Sequence, residues 1–381
     1  ICTECDIDFN FDDAALGNLF NEEVYQLFKQ LEFKSLLSKF QTEKISHSTG
    51  IEKNFTVVES LEDAEKVFNL EDEKAASKVG IHLLIENNKL LGVSICKDED
   101  KACFIQCSEQ FTEDYICENV SKLVKKANLA SVIGLKEQLP FLNVSEKDNV
   151  FDASIAAYLL NPLTDTYYYD DIARDYLELT IPSREDLLGK MSLQEAAAGK
   201  KDELVQYACY NAYIARRSAE RLMELLQREG MKQLFETIEM PLVFTLYDME
   251  TRGIRVNKEA LFEYGRNLQE SIDKLEEEIY SMVGEEFNIN SPKQLGIILF
   301  EKLRLPFAKK TKTGYSTSAD VLEKLQSEHP VVKYILDYRQ LTKLKSTYAD
   351  GLAVYIQADG RIHGKFHQTI AATGRISSTD P

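Results

Sequence analysis

Little in this sequence would place the protein in a membrane or outside the cell. The 381 residues contain no run of eighteen apolar residues, and no charged segment followed by an apolar one stands at the N-terminus. The sequence therefore predicts neither a membrane-spanning helix nor a secretion signal. The seven cysteines show no regular spacing, which suits a reducing cytoplasm better than a disulfide framework. Cys2 and Cys5 form a lone C-x-x-C without a second pair or a histidine at zinc spacing, so we expect two unpaired thiols.

Motifs for catalysis are missing as well. The sequence has no glycine-rich loop ending in Lys-Ser/Thr and no run that combines His, Asp and Glu. Such elements bind nucleotide phosphates or the metal ions that activate them. We therefore predict no catalytic residue and no metal site within this chain.

The charge distribution favours a polyanionic partner, although the net charge of −18 alone argues against one. Residues 293–345, called the basic segment below, hold eleven Lys or Arg against five Asp or Glu. Residues 1–292 hold 31 basic and 55 acidic side chains. This local asymmetry indicates nucleic-acid binding by the basic segment, with a solvated helix face as the alternative.

The hydrophobic pattern predicts an α/β region followed by a mainly helical one. With 44% hydrophobic residues the chain is long enough for two or three domains. A helical lead-in is predicted over residues 12–40. Short apolar runs bounded by charged or Asn-containing turns predict strands, and longer periodic segments predict helices, which together give an α/β domain with a mixed sheet. The predicted strands are 55–58, 79–85, 90–95 and 102–105, and the predicted helices are 61–70, 111–127, 152–160 and 204–227.

The pattern of the C-terminal third predicts two long helices joined by shorter elements. Met240-Pro241 is predicted to open a helix, since proline costs least in the first turn. Asn257 is the expected cap of a long amphipathic helix over 258–282, and a second long helix is predicted over 331–356. We expect these two helices to form an antiparallel stalk.

A run of lysines and hydroxyl residues lies between the two long helices. Residues 309–318, KKTKTGYSTS, have no apolar period. Lysine charge, Thr and Ser hydroxyls and backbone N–H groups around Gly314 can all bind phosphate oxygens without reading bases. Ser318 could also cap the following helix, and the two roles are compatible.

Several sequence strings together resemble the bacterial DNA polymerase I type, family A. They are TGRISS and TDP at 373–381, INSPKQL at 289–295, the run at 309–317, YRQL at 338–341 and STY at 346–348, and a looser match begins at 28–33. The resemblance implies a ribonuclease H-like 3′-5′ exonuclease-type domain with a mixed sheet, then a helical polymerase thumb and the first palm strands. It implies domain limits of 1–45 for a lead-in after an absent 5′-nuclease domain, 46–235, 236–357 for the thumb and 358–381 for the start of the palm.

The resemblance also implies that the exonuclease domain is inactive. In the family this domain holds two metal ions between carboxylates. The first motif, Asp-x-Glu, falls on strand 79–86, where His82 and Leu84 stand instead. The second motif aligns with 134–138 and ends in Gln138, and the third, Tyr-x-x-x-Asp, aligns with 207–211 and ends in Asn211. Asp152 remains nearby, and we predict that it caps the helix that follows.

The resemblance implies that the thumb holds duplex or primer-template DNA and that Arg375 reaches the minor groove near the reacting end. Deoxynucleoside triphosphates and two Mg²⁺ ions are expected only in the palm and fingers of the complete polymerase, and a monomer is expected. A stand-alone DNA-binding module is the alternative, and an active metal-dependent exonuclease would need acids that the motif positions lack. The predicted DNA-binding residues are Lys309, Lys310, Lys312, Thr313, Gly314, Tyr315, Ser316, Thr317, Arg339, Lys343, Thr373, Arg375 and Ser377.

Overall fold

A computed structural model describes residues 50–69, 77–97, 101–306, 310–311 and 314–380, together with five single residues near the N-terminus, Val24, Leu27, Phe28, Leu31 and Phe33. The rest of the predicted lead-in and the Cys2–Cys5 pair lie outside the described residues. The chain forms two compact units. Unit 1 comprises residues 1–247 and Gln368–Ser377, and unit 2 comprises Asp248–His367 and Ser378–Pro381. The domain limits predicted from the sequence stay a prediction, because these units are defined by contacts and not by function.

Unit 1 is built on a six-stranded mixed sheet with the spatial order β1-β4-β3-β2-β5-β6. Strands β2, β3 and β4 form an antiparallel meander, and β5 and β6 continue the sheet in parallel beyond β2. Asn87 and Asn88, both with positive φ, form the two-residue turn between β2 and β3. The strands are β1 (Phe55–Val57), β2 (Lys78–Glu86), β3 (Lys89–Cys96), β4 (Ala102–Gln106), β5 (Leu129–Val132) and β6 (Val150–Asp152).

One long helix lies along this sheet and completes its core. Gly80 of β2 passes so close to the helix that a Cβ atom there would lie 2.0 Å from the Ala212 carbonyl oxygen, so only glycine fits. Ser94 Oγ donates to the Ala208 carbonyl at 2.7 Å. The helices of unit 1 are α1 (Leu61–Phe68), α2 (Glu113–Lys126), α3 (Leu135–Gln138), α4 (Ala153–Leu160), α5 (Tyr169–Leu177), α6 (Arg184–Leu188), α7 (Leu193–Gly199), α8 (Lys201–Arg228) and α9 (Lys232–Leu234).

The predicted strands and helices of unit 1 are confirmed, and the predicted mixed sheet is present. The sequence did not predict β5, β6 or the short helices α3, α5 to α7 and α9. Strands β5 and β6 have only four and three residues, too few for a period to stand out from the helical segments around them.

The helix expected to open at Met240 is different in the structure. A π-helical turn, Phe235–Glu239, joins α9 to α10 (Met240–Arg252). Pro241 therefore lies inside a continuous helical run and not at its first turn. The missing N–H of proline falls where the backbone changes from π to α hydrogen bonding, a place where a regular ladder is already interrupted.

Unit 2 contains the two long helices predicted from the sequence. Gly265 in the helix Lys258–Val283 lies next to Ala349, whereas Glu276, eleven residues later, lies beside Tyr338. The two helical segments therefore run antiparallel. The second of them is not uniform, because the π turn Lys345–Asp350 separates the α-helix Val331–Leu344 from the short helix Gly351–Ala353. Another π turn, Ile298–Lys302, follows the short helix Pro292–Ile297. The helices are α11 (Lys258–Val283), α12 (Pro292–Ile297), α13 (Ala319–Leu325), α14 (Val331–Leu344) and α15 (Gly351–Ala353).

Short strands and one buried acid complete unit 2. Asn257 Oδ1 accepts from the Ala260 N–H at 3.1 Å, which confirms the predicted cap of α11. The buried Glu250 carboxylate accepts from the Phe366 N–H at 2.8 Å and from Lys365 Nζ at 3.2 Å. The strands are β7 (Ile254–Arg255), β8 (Lys310–Thr311), β9 (Gly314–Tyr315), β10 (Arg361–Ile362), β11 (Lys365–His367) and β12 (Ser377–Thr379), of which β7 pairs with β10 and β8 with β9, both antiparallel.

Within the described ranges, no helix combines the length and the apolar character needed to cross a membrane.

Candidate nucleic-acid interface

The lysine-rich run of unit 2 forms a short β-hairpin. Lys310 pairs with Tyr315, and Thr311 pairs with Gly314. The Tyr315 ring packs on Phe300 with ring centroids 5.0 Å apart, and its Cβ would lie 2.9 Å from any Cβ at Gly296. Glycine at 296 therefore lets the hairpin pack closely on α12. Lys309, Lys312, Thr313 and the side chain of Lys310 lie outside the described residues, so their role in DNA binding stays a prediction.

Thr317 and Arg339 point inward, unlike the surface contacts that the sequence predicted. Thr317 is only 5% exposed. Arg339 Nη1 donates to the Thr317 carbonyl at 2.7 Å, and Nη2 donates to the Ile289 carbonyl at 3.2 Å. Burial lowers the pKa of this guanidinium, but arginine stays charged. The structure thus gives this pair a supporting role: Arg339 holds the segment after the hairpin against α14 by satisfying two carbonyls.

Other cations of unit 2 remain available at the surface. Lys343 is exposed and makes no hydrogen bond or ion pair with any described side chain, and the same is true of Lys293 and Arg304, which the sequence prediction missed. Lys293 has no acidic residue three or four positions away in the sequence, and this spacing is the signal that could have found it. Ser316 Oγ and Ser318 Oγ lie 3.1 Å apart in the segment that follows the hairpin.

The Thr373-Gly374-Arg375 motif forms a turn in unit 1. The Gly374 N–H donates to the Ala371 carbonyl at 3.1 Å, and Gly374 has φ of +74°, a conformation that favours glycine. Thr373 and Arg375 are exposed and Ser377 is half-buried. Arg375 has no hydrogen bond or ion pair in the part of the chain that the structure describes. Its guanidinium is therefore available to a ligand.

Side chains of unit 1 hold this turn in place. The Tyr158 hydroxyl donates to the Ala371 carbonyl at 2.7 Å. Gln368 Nε2 donates to the Glu239 carbonyl at 2.9 Å and also contacts the Glu239 carboxylate. The segment that carries Arg375 is thus fixed by one tyrosine and one Gln–Glu pair.

The four positions that the sequence aligned with exonuclease motifs, His82, Leu84, Gln138 and Asn211, lie on elements of unit 1 that contact one another. His82 and Leu84 lie on β2, and the N–H of the intervening Leu83 donates to Gln138 Oε1 at 2.9 Å. The His82 ring makes an edge contact with Tyr207, with centroids 5.9 Å apart. Asn211 lies one turn further along α8 and donates through Nδ2 to the Tyr207 carbonyl at 2.8 Å. Strand β2, helix α3 and helix α8 therefore meet around these side chains.

None of the four side chains offers a carboxylate to a metal. Leu84 is 1% exposed. Gln138 Nε2 donates to the Ile133 and Gly134 carbonyls at 3.0 and 3.2 Å, while its oxygen accepts from Leu83. This brace needs a donor and an acceptor on one side chain, which an amide has and a carboxylate lacks. Across the described residues, no group of three or more His, Cys, Asp or Glu could hold a metal ion.

His82 is the unusual member of the group. Part of the residue reaches the surface, but both ring nitrogens are buried and neither has a hydrogen-bond partner. Burial lowers the pKa of His82 to about 4, because a charged ring would lose its hydration without a compensating partner. The ring is therefore neutral at pH 7.

The acids that remain nearby bind backbone N–H groups. Asp152 accepts from the N–H groups of Gly134, Leu135 and Ser154 and from the Ser154 hydroxyl, at 3.2, 2.6, 2.9 and 2.6 Å. Burial raises the pKa of this carboxyl, and the hydrogen bonds oppose that change. The predicted capping role of Asp152 is confirmed, since it is the N-cap of α4. Glu86 likewise accepts from the first N–H groups of α7 at 2.7 and 2.9 Å.

Comparisons with a family model and with known proteins all point to DNA polymerases of one family. The family model for DNA polymerase family A matches residues 258–381. DNA polymerase I of Bacillus subtilis (strain 168) is 36% identical over the whole chain, and DNA polymerase I of Geobacillus stearothermophilus is 32% identical over the whole chain. DNA polymerase I of Streptococcus pneumoniae (strain TIGR4) is 45% identical over 61% of the chain.

The match covers only part of each relative. The chain spans 43% of the Bacillus and Geobacillus proteins and 26% of the Streptococcus protein. Among solved structures, the POL domain of Pol1 from M. smegmatis, in complex with DNA primer-template and dNTP, superposes with a TM-score of 0.67 at 29% identity. That superposition covers 86% of this chain and 55% of the mycobacterial one.

Proposed function

Because the chain belongs to DNA polymerase family A, we propose that it is the DNA-holding part of a DNA-directed DNA polymerase. The complete protein would transfer nucleotides in a template-directed manner during DNA replication and repair. The observation that carries this proposal is Arg375, an exposed guanidinium with no partner in the described structure, on a turn that unit 1 fixes. An arginine at this place can donate to the minor-groove acceptors that occur on every base pair.

Unit 2 is proposed to act as the thumb. Beside the antiparallel helices α11 and α14, this unit has a hairpin that packs on α12. The run of lysines and hydroxyls in the hairpin sequence suits contacts with phosphates. Lys293, Arg304 and Lys343 add exposed positive charge that no acid of the described residues neutralises. Phosphate contacts of this kind hold DNA of any sequence, as a polymerase must.

Unit 1 is proposed to contain a ribonuclease H-like exonuclease domain without activity. An antiparallel meander extended by parallel strands beyond its first strand supports this fold assignment. The loss of activity is inferred from the four replaced acids, because two-metal hydrolysis needs carboxylates to place both ions. In the described structure these positions hold a neutral imidazole, a leucine and two amides that bind backbone groups.

The remaining functions of the complete protein are also proposals. Deoxynucleoside triphosphates and two Mg²⁺ ions are proposed to be bound by palm and fingers residues of the complete protein. The Mg²⁺ ions would supply charge stabilisation for phosphoryl transfer. A cytoplasmic location is favoured by Cys96, Cys103, Cys107, Cys117 and Cys209, all of which are free thiols. A stand-alone DNA-binding module is the second candidate, and the same surface would serve it.

The chain is expected to leave single-stranded DNA intact in the presence of Mg²⁺ or Mn²⁺. The measurement is gel analysis of an end-labelled strand after prolonged incubation. Glu86→Gln and Asp152→Asn provide the control, because Glu86 ends the strand that carries His82 and Leu84 and Asp152 binds the N–H groups of Gly134 and Leu135. Stepwise 3′ shortening that disappears in either variant would show that unit 1 is an active exonuclease after all.

Primer extension is expected to be absent from the 381-residue chain and to be present when palm and fingers of a family A polymerase are joined to it. The reason is the two-metal requirement, not instability of the chain. Extension assays with the chain alone and with the joined protein test this. Extension by the chain alone would show that the chain itself contains a polymerase active site. A joined protein that binds primer-template but never extends the primer would favour the stand-alone module.

A further inference from the structure

The segment that carries Arg375 has little structure of its own. Residues 368–376 contain no helix or strand, and their only described internal hydrogen bond is the one from Gly374 to Ala371. Ile370 is 62% exposed and Ile376 is 43% exposed, so these side chains contribute little burial. Fixing each backbone residue costs about 1–2 kcal/mol. Contacts from outside the segment must therefore hold it.

One of these contacts comes from Tyr158. Its side chain is 3% exposed and packs edge-on against Tyr167, with ring centroids 5.9 Å apart. Burial raises the pKa of the Tyr158 hydroxyl, so it remains a donor throughout the neutral range. Because α4 and the core fix the ring, the direction of its hydroxyl is fixed as well.

The acceptor of this hydrogen bond is the carbonyl that closes the turn. Ala371 O accepts both the Tyr158 hydroxyl and the Gly374 N–H, and a carbonyl oxygen has two lone pairs for this. Arg375 directly follows Gly374 in the sequence. Tyr158 thus fixes the turn that immediately precedes the arginine. The Gln368–Glu239 contact fixes the start of the same segment.

We propose that Tyr158 is a positioning residue for Arg375, so that the exonuclease-type domain orients the arginine that meets DNA. This inference rests on the proposed function, because it assumes that Arg375 contacts the DNA. It assigns the domain a role in DNA binding that does not depend on nuclease chemistry. Tyr158 itself does not touch the DNA.

The test uses the whole chain and substitutions that remove one group each. Tyr158→Phe deletes only the hydroxyl. Tyr176→Phe is the matched control, because the Tyr176 hydroxyl also donates to a carbonyl, that of Ala157 at 3.2 Å, without touching the segment. Arg375→Ala and the Tyr158→Phe, Arg375→Ala double variant complete the set. Hydrogen exchange of the peptide that spans 368–377 reports the order of the segment, and fluorescence anisotropy with a primer-template at fixed salt reports affinity.

We expect Tyr158→Phe to speed exchange in this peptide and to weaken DNA binding by about two- to tenfold, the usual effect of one hydrogen bond. Tyr176→Phe is expected to change neither the exchange of this peptide nor the affinity for DNA. Arg375→Ala is expected to weaken binding without faster exchange, and the double variant is expected to bind no more weakly than Arg375→Ala alone.

Two kinds of failure can be told apart. If Arg375→Ala weakens binding but Tyr158→Phe does not, or if Tyr158→Phe weakens binding equally in the Arg375→Ala background, the positioning role is wrong and the proposed function stands. Exchange that rises no more in Tyr158→Phe than in Tyr176→Phe also overturns the positioning role. If Arg375→Ala binds as well as the original chain, the proposed role of Arg375 is wrong and the inference falls with it.

Discussion

Affinity of the chain for duplex DNA is expected to fall about 60- to 500-fold when the salt concentration rises from 50 to 200 mM. If roughly three to five phosphates are neutralised, log affinity falls with log salt at a slope of about −3 to −4.5. The acidic remainder of the chain, with 55 acidic side chains among residues 1–292, repels DNA, so absolute affinity is expected to be weak. Binding is expected to be indifferent to sequence. A salt titration by fluorescence anisotropy on two unrelated duplexes measures both properties.

Replacing Lys309, Lys310 and Lys312 together by alanine is expected to flatten this slope by about 2 to 3 units, because each lysine is proposed to meet one phosphate. The matched control replaces Lys122, Lys125 and Lys126, three exposed lysines of α2 in unit 1, which changes the net charge by the same amount. An unchanged slope in the first variant, or equal flattening in both, would mean that the hairpin lysines are only a solvated loop.

Replacing Arg375 by alanine is expected to leave the salt slope nearly unchanged while lowering affinity at any one salt concentration. A contact in the groove releases few counterions, unlike a contact with phosphate. The two sets of variants thus separate phosphate binding by the hairpin from groove binding by the turn.

The sequence predicted those parts of the fold whose periodic pattern is long. The helices that became α8 and α11 have 28 and 26 residues, and the meander strands β2 and β3 have nine and eight. Strands β5 and β6 escaped prediction because they are stabilised by pairing with β2 and each other, a tertiary contact without a local pattern. The π turn before Pro241 has no reliable sequence signal either, since it depends on how the helix packs.

Only some residues of the candidate site could be predicted from the sequence. Arg375 and the four positions His82, Leu84, Gln138 and Asn211 could be singled out because sequence motifs fix their places, and their roles stay predictions. Thr317 and Arg339 lie in equally recognisable strings, yet they point inward, because the carbonyls of Thr317 and Ile289 need donors that only the folded chain reveals. Tyr158 could not be predicted at all, since its acceptor lies 213 residues away in the sequence.

The neutral state of His82 predicts a pH-dependent stability. The pKa of His82 is about 4 in the folded chain and 6.5 for an ordinary histidine, so between these values the unfolded chain binds a proton that the folded chain does not. Stability is therefore fully present above about pH 6.5 and is lost as pH falls toward 4. The loss from this one group is expected to be about 1.4 kcal/mol per pH unit within that window and about 3 kcal/mol in total.

Urea unfolding of unit 1 at pH 7.5, 5.5 and 4.5 measures this loss of stability. His82→Leu is expected to remove most of the loss between pH 6.5 and 5, where carboxylates hardly titrate. At pH 7.5 the variant is expected to be at least as stable, because it buries no unpaired nitrogen. His363→Gln is the contrasting control. The Glu250 carbonyl at 2.8 Å and the Asp359 carboxylate at 3.1 Å raise the pKa of His363. The stability that His363 contributes is therefore lost as pH rises, so removing His363 cannot reduce the loss of stability at acid pH. If His82→Leu keeps the acid-dependent loss of the original chain, the ring is hydrated or paired in solution, and the inferred neutral and unpaired state of His82 is wrong.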